Sequence, residues 1–108
     1  MSEAKQLYRD AFEKFAKQNY SEAIAGYRRV VEVDPNFVLA YQAMAEAYAR
    51  GENLDEAIAA ILKAIEIDPD EPLFHTSLSR FLQQQGRIQE AEDEAAIATR
   101  LQSKGPIL

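Results

Sequence analysis

The stretch VLAYQAMAEAYARGENLDEAIAAILKAIEIDPDE, residues 38–71, decides the fold. Its first half places Tyr41, Met44, Ala45 and Tyr48 at helical spacing, and its second half does the same with Ala57, Ile58, Ile61, Ala64 and Ile65. Gly51 interrupts the two runs and Asp68-Pro69-Asp70 closes the second, all residues that stop or start helices. The stretch is also one period of a longer pattern. Asp34-Pro35 falls on Asp68-Pro69 after a shift of 34 residues, and Glu22-Ala23-Ile24 falls on Glu56-Ala57-Ile58, with Glu90-Ala91 a further period on. A period of this length marks a stacked helical array, whose units cannot bury their apolar faces alone.

Working outward, apolar residues recur at helical spacing in Leu7, Ala11, Phe12 and Phe15, and in Ala23, Ile24, Tyr27, Val30 and Val31. They recur again in Leu78, Phe81 and Leu82, and in Ala91, Ala95, Ala98 and Leu101, while no segment alternates with period two. The pattern predicts six helices, over 3–17, 21–33, 37–50, 55–67, 71–85 and 89–102, with Ser21 and Asp55 as N-caps of the second and fourth. Connections this short make neighbouring helices antiparallel. The expected fold class is therefore all-α, a solenoid of three antiparallel helix pairs in one domain spanning 1–108.

Composition bounds the function. The chain has 108 residues, no cysteine and one histidine, which removes disulfides, thiol chemistry and cysteine-based metal sites; no metal or other cofactor is expected. A formal charge of −6 argues against a binder of nucleic acid, whose affinity rests on clustered Lys and Arg. The start of the chain carries no apolar signal core and no run is long enough for a membrane span, so no membrane association is expected and the cytoplasm is the expected address. Charge is uneven: residues 38–71 hold two Lys/Arg against eight Asp/Glu, whereas 4–37 hold six against five and 72–105 four against four. Much of that acidity, Asp55, Glu56, Asp68, Asp70 and Glu71, sits near helix N-termini, where it complements the helix dipole. Arg28, Arg29, Lys14 and Lys17 read as a solvated surface.

Small residues share a register. Ala11, Ala45 and Ser79 lie in the first helix of each unit and Ala23, Ala57 and Ala91 in the second, which lets each pair close to the short end of the usual interaxial range. Tyr20, Leu54 and Ile88, Tyr27 and Ile61, and Tyr41 and Tyr48 are then available to fill the space between elements. Each helix is near the length at which isolated helices are marginal in water, so stability must come from stacking.

These registers resemble three tetratricopeptide repeats, at 4–37, 38–71 and 72–105, with a short tail at 106–108. The middle repeat carries the resemblance best, through Tyr41, Ala45, Tyr48, Leu54, Ala57, Ile61, Ala64 and Pro69. The first repeat matches through Leu7, Ala11, Tyr20, Ala23, Tyr27, Val30 and Pro35 but has Asp10 and Lys14 where the family places apolar residues. The third matches through Leu78, Ser79, Leu82, Gly86, Ile88, Ala91 and Ala98, and has Ser103 in the register of the terminal proline. Such departures fit end repeats.

The resemblance implies a right-handed superhelix whose first helices line a concave groove, and a non-enzymatic adaptor that binds a peptide or helix of a partner protein. Some members clamp acidic C-terminal tails with Lys, Arg and Asn. The matching registers here hold Tyr8, Phe12, Ala43, Leu73 and Ser77, none able to pair with a carboxylate. The groove is instead expected to be lined by Tyr8, Phe12, Phe15, Leu39, Gln42, Glu46, Leu73, Thr76 and Arg80, aromatic at its amino-terminal end and polar at the other. A partner presenting apolar side chains is expected there, with Tyr8 and Phe12 as anchors.

His75 occupies the register of Leu7 and Tyr41, where its ring is expected to pack with a wet polar edge and a structural role. Glu92, Asp93 and Glu94 could be paired as carboxylates for acid–base chemistry, but consecutive helical residues point in different directions, so the three read as a solvated outer face on the last helix. No convergent set of nucleophile, base and oxyanion donors suggests an enzyme. Gly105-Pro106 should end the last helix. Its alanine-rich side, with Ala91, Ala95 and Ala98, is either covered by Ile107-Leu108 or open for self-association; a homo-oligomerising structural unit is thus the alternative function.

Overall fold

The computed structural model describes residues 2–104. Six α-helices follow in order: α1 Glu3–Ala16, α2 Tyr20–Val33, α3 Val38–Arg50, α4 Leu54–Ile67, α5 Pro72–Gln84 and α6 Ile88–Ser103. Among the described residues there is no strand. Each helix packs chiefly on its neighbours in sequence, so α1/α2, α3/α4 and α5/α6 are pairs and α2/α3 and α4/α5 join one pair to the next. The molecule is an all-α solenoid measuring 36 × 36 × 21 Å, its short dimension about two helix diameters thick.

The small residues set the pair geometry. Ala11, Ala23, Ala45, Ala57 and Ala91 are all buried. Gly26, which the sequence reading passed over, sits so close to α1 that a Cβ on it would lie 2.7 Å from the Cβ of Ala11. In the third pair the Ser79 hydroxyl donates to the Ala91 carbonyl at 2.7 Å, so closeness there is used for a hydrogen bond. Larger side chains fill what remains: Tyr27, Val30, Ile61 and Phe81 are wholly buried. One continuous apolar cluster runs from Ala4 to Ala91 through all three pairs.

The turn inside each pair departs from expectation. The second helices begin a residue earlier than predicted, at Tyr20, Leu54 and Ile88. Ser21 and Asp55 therefore lie inside the first turn, and the cap positions belong to Asn19 and Asn53, whose side chains make no capping bond. The reason is a backbone turn that already supplies partners. The amides of Asn19, Asn53 and Arg87 donate to the carbonyls of Lys14, Tyr48 and Leu82, each at 2.9 Å. The residue before each of them donates in turn to Phe15, Ala49 or Gln83, completing the paired bonds of a Schellman motif. That motif needs a left-handed residue, and Gln18 (φ 66°), Glu52 (φ 64°) and Gly86 (φ 80°) supply it at the same register. Gly51, the expected break between the two helical runs of the middle repeat, caps α3 at φ −87°, and the left-handed conformation falls on Glu52.

Between pairs, Asp34 accepts from the Asn36 amide through Oδ1 at 3.1 Å, fixing the Pro35 turn. Glu71 caps α5, its Oε2 accepting from the Leu73 amide at 3.2 Å, which gives one of the acidic residues of the middle period a defined structural task.

Both ends of the stack are polar where the interior is apolar. Met44 and Tyr48 in α3, and Leu78 and Leu82 in α5, are buried, whereas the matching Asp10 and Lys14 of α1 are exposed. Lys14 pairs with Glu22 at 3.3 Å. At the other end, the register of Ile24, Tyr27 and Val31 in α2 and of Ile58, Ile61 and Ile65 in α4 holds Glu92, Ala95 and Thr99 in α6, all exposed. Ala91 and Ala98 are buried, which leaves Ala95 as the exposed member of the alanine-rich side. Residues Gly105 to Leu108, invoked above as helix stop and tail, lie outside the described residues.

Non-glycine residues in the left-handed region cost about 1 kcal/mol, so Gln18→Gly and Glu52→Gly should each raise stability by about 0.5–1 kcal/mol. Urea denaturation of the two variants and their combination checks this; a lowered midpoint in either would show that the strain is absent.

Candidate functional site

Helical registers 34 residues apart place equivalent side chains in rows across α1, α3 and α5. One row is Tyr8, Gln42 and Thr76, a second is Phe12, Glu46 and Arg80, and a third is Lys5, Leu39 and Leu73. Of the nine residues expected to line the groove, the structure gathers Tyr8, Phe12, Phe15, Gln42 and Glu46 around one recess, joined by Tyr27 and Ala43. The recess has a volume of about 160 Å³. Leu39 and Leu73 lie outside it and are about half exposed, at 48% and 56%. Thr76 is exposed and returns its hydroxyl to the Pro72 carbonyl at 3.2 Å.

The recess is built from two aromatic groups. Tyr8 packs 5.6 Å from Tyr27 and 5.2 Å from Phe37, so it is a half-buried wall that belongs as much to the core as to the surface. Phe12 stacks on Phe15 at 6.3 Å and is 53% exposed, so its ring is presented outward. The two expected anchors therefore differ in kind. Phe15 meets Tyr20 edge-on at 5.5 Å, and Arg50 lies 5.3 Å over the Phe15 ring while its Nη1 reaches the Tyr20 hydroxyl at 3.4 Å. Arg50 was not foreseen, because its neighbours come from α1 and α2 and no spacing within α3 announces them.

Glu46 lines the recess from α3, and its carboxylate is met by Arg80. Arg80 Nη2 donates to its Oε1 at 2.5 Å and Nη1 to its Oε2 at 3.5 Å, an ion pair running from the second pair to the third within one row. Arg80 also lies 5.0 Å over the Phe81 ring. The expected gradient from aromatic to polar thus takes the form of a row that reads ring, carboxylate, guanidinium.

At the inner wall, Tyr27 is fully buried and its hydroxyl has no hydrogen-bond partner among the described residues. Burial, reinforced by the neighbouring Tyr8, pushes its phenol up to about 12; burial also raises Tyr8. On the outer side, Arg28 donates to the Tyr48 hydroxyl and lies 6.0 Å over its ring, so this arginine has a structural partner.

His75 corrects two expectations. Its polar edge is not wet: the residue is buried, with Nδ1 2.9 Å from Glu94 Oε1 and Nε2 2.9 Å from the Pro69 carbonyl. Glu94 accordingly leaves the solvated run and becomes a half-buried partner, while Glu92 and Asp93 stay exposed as expected. Glu94 stands in the register of Gly26 and Ala60, and His75 in that of Leu7 and Tyr41, so a polar contact replaces an apolar one in the third pair. No group of three or more His, Cys, Asp or Glu among the described residues is arranged to hold a metal ion. No helix of the described residues is long and apolar enough to cross a membrane.

Comparison with known proteins places this arrangement. The tetratricopeptide-repeat profile matches residues 14–80. The chain belongs to the tetratricopeptide-repeat family. No match is found among curated protein sequences. Among solved structures, MamA superposes with a TM-score of 0.91 at 23% identity over 94% of this chain, which spans 59% of MamA. The Yersinia enterocolitica type III secretion chaperone SycD, in complex with a peptide of the translocator YopD, gives 0.89 at 24% identity, covering 94% of this chain and 78% of SycD. The first such domain of Spaghetti (RPAP3), bound to the HSP90 peptide SRMEEVD, gives 0.87 at 19%, covering 94% and 81%. At these identities the likeness is one of fold.

Two predictions follow from the buried polar groups. Tyr27 keeps its proton to about pH 12 in the fold but loses it near pH 10 once unfolded, so its stabilising contribution is complete below pH 10 and is lost as pH rises toward 12. Tyr27→Phe should move the alkaline unfolding midpoint, followed by circular dichroism, to higher pH. His75→Leu should cost about 1–3 kcal/mol, because it strands the Glu94 carboxylate and the Pro69 carbonyl. Adding Glu94→Ala should recover part of this in urea denaturation.

Proposed function

We propose that this repeat protein is a non-enzymatic adaptor that holds a segment of a partner protein in the concave groove of its first helices. The observation that carries the reading is the recess at the α1/α3 seam, with Phe12 presented outward on a rigid aromatic base. Isolated exposed apolar residues are ordinary, but Phe12, Leu39 and Leu73 lie on the equivalent faces of α1, α3 and α5. Aromatic anchors at the centre of such surfaces tend to dominate binding energy. SycD and the RPAP3 domain, similar in fold, are peptide-bound in the structures cited, which supports a protein partner for this chain as well.

The partner is not expected to be an acidic tail held by its carboxylates. Tyr8, Phe12, Ala43, Leu73 and Ser77 offer no cation at the relevant registers, and Arg80 is engaged by Glu46. Against the self-assembly alternative stands the surface of α6: a further pair would have to stack on Glu92, Ala95 and Thr99 in place of the isoleucines that serve inside. Burial of Glu92 without a partner would cost more than such a face returns.

Phe12→Ala should weaken partner binding by about 2 kcal/mol while leaving thermal stability nearly unchanged, since the ring is largely exposed. Titration calorimetry with a partner captured from cell extract, combined with chemical-shift mapping, tests this. A footprint on the outer helices with Phe12 and Tyr8 unmoved would overturn the groove reading.

A further inference from the structure

We infer that the recess takes the side chain of an arginine from the bound segment, its stem lying on Phe12 and Tyr8 and its guanidinium reaching Glu46. This rests on reading the groove as a binding site and specifies the chemistry of its occupant. Three observations carry it. First, the walls are aromatic, and the polar residues that line the recess are one carboxylate, Glu46, and the neutral Gln42. An apolar occupant would cover a half-buried carboxylate and strip its water, and an anionic occupant would be repelled both by it and by the ring faces. A cation on a long apolar stem satisfies rings and carboxylate together.

Second, Glu46 retains acceptor capacity. Arg80 holds Oε1 closely at 2.5 Å but Oε2 only at 3.5 Å, and a carboxylate offers about four acceptor directions. The row from α1 to α5 then reads open ring, carboxylate, guanidinium, and a second guanidinium between Phe12 and Glu46 continues the alternation of sign. Third, this protein already seats arginines on rings in three places: Arg28 on Tyr48, Arg50 on Phe15 and Arg80 on Phe81. Phe12 is half exposed, and among the described residues no cation lies over its ring. Guanidinium suits such a position better than ammonium because it is planar, weakly hydrated and able to fork onto a carboxylate. The net charge of −6 favours approach of a basic segment over an acidic one.

The experiment uses the whole chain and three blocked pentapeptides, acetyl-Gly-Gly-X-Gly-Gly-amide, with X arginine, its neutral isostere citrulline, or norleucine. Ring resonances of Phe12 and Tyr8 are followed by NMR during titration. The arginine peptide should shift them and bind about five-fold more tightly than the citrulline peptide, a margin that shrinks in high salt. Glu46→Gln should remove the margin, and Phe12→Leu, which keeps an apolar wall without the ring, should reduce it. Equal or tighter binding of norleucine at the same resonances would overturn the cationic occupant while leaving the recess a binding site. Failure of all three peptides to shift these resonances would overturn both. A margin that survives Glu46→Gln would overturn the role given to the carboxylate.

Discussion

The contact between small residues inside each pair is the constraint on which the rest depends. Where Gly26 meets Ala11, a single added Cβ would fall 2.7 Å from its neighbour, far inside van der Waals distance. Both sides of that contact are carried by helix backbone, so neither can swing away, and overpacking of this kind typically costs 1–3 kcal/mol. With the pair closed this tightly at Gly26 and Ala11, bulky side chains are accommodated away from that point of contact, and Tyr27, Val30, Ile61 and Phe81 are wholly buried there. The stack is thus a consequence of the pair. Helices of 13–16 residues that are marginal alone become stable because each seam covers what the pair leaves open.

The same logic explains how the described stack ends. A helix pair can add another only if its outer face is apolar, and the first and third pairs present Asp10 and Lys14, or Glu92, Ala95 and Thr99, at those registers. These substitutions leave the pair contact intact, since Ala11 and Ala91 remain buried. The third pair goes further by placing His75 and Glu94 at two positions that are apolar or small elsewhere. A buried imidazole between a carboxylate and a carbonyl orients α5, α6 and the Pro69 turn together.

How far the sequence revealed this depends on whether the signal lay within one helix or between helices. The six elements were legible because each carries its own apolar spacing, and the rows of equivalent residues along α1, α3 and α5 were legible because a fixed period puts equivalent residues on equivalent faces. Caps were misplaced because Ser21 and Asp55 are good caps by type, whereas the position is set by the Schellman turn before them. That turn was itself hidden at Gln18 and Glu52, since only Gly86 announces a left-handed residue. Glu94 was read as solvated because its neighbours are charged; its partner is 19 residues away on another helix. Arg50 and the Tyr27 hydroxyl were missed for the same reason, as their environments are assembled only when α1, α2 and α3 meet.

What remains is how a groove of the kind proposed would discriminate on so regular a scaffold. Packing fixes the buried half of each first helix, so selection can act freely on the rows that packing leaves out. In those rows the three pairs diverge: Phe12, Glu46 and Arg80 share one register yet differ in every property that matters for recognition. On that reading the scaffold also lowers the cost of recognition. Phe12 is braced by Phe15, Phe15 by Tyr20 and Arg50, and Tyr8 by Tyr27 and Phe37, so the recess loses little side-chain freedom when filled. A short groove of three pairs can afford few contacts. On the proposed reading it therefore depends on contacts that are already in place, and the half-buried aromatic base beside Phe12 supplies them.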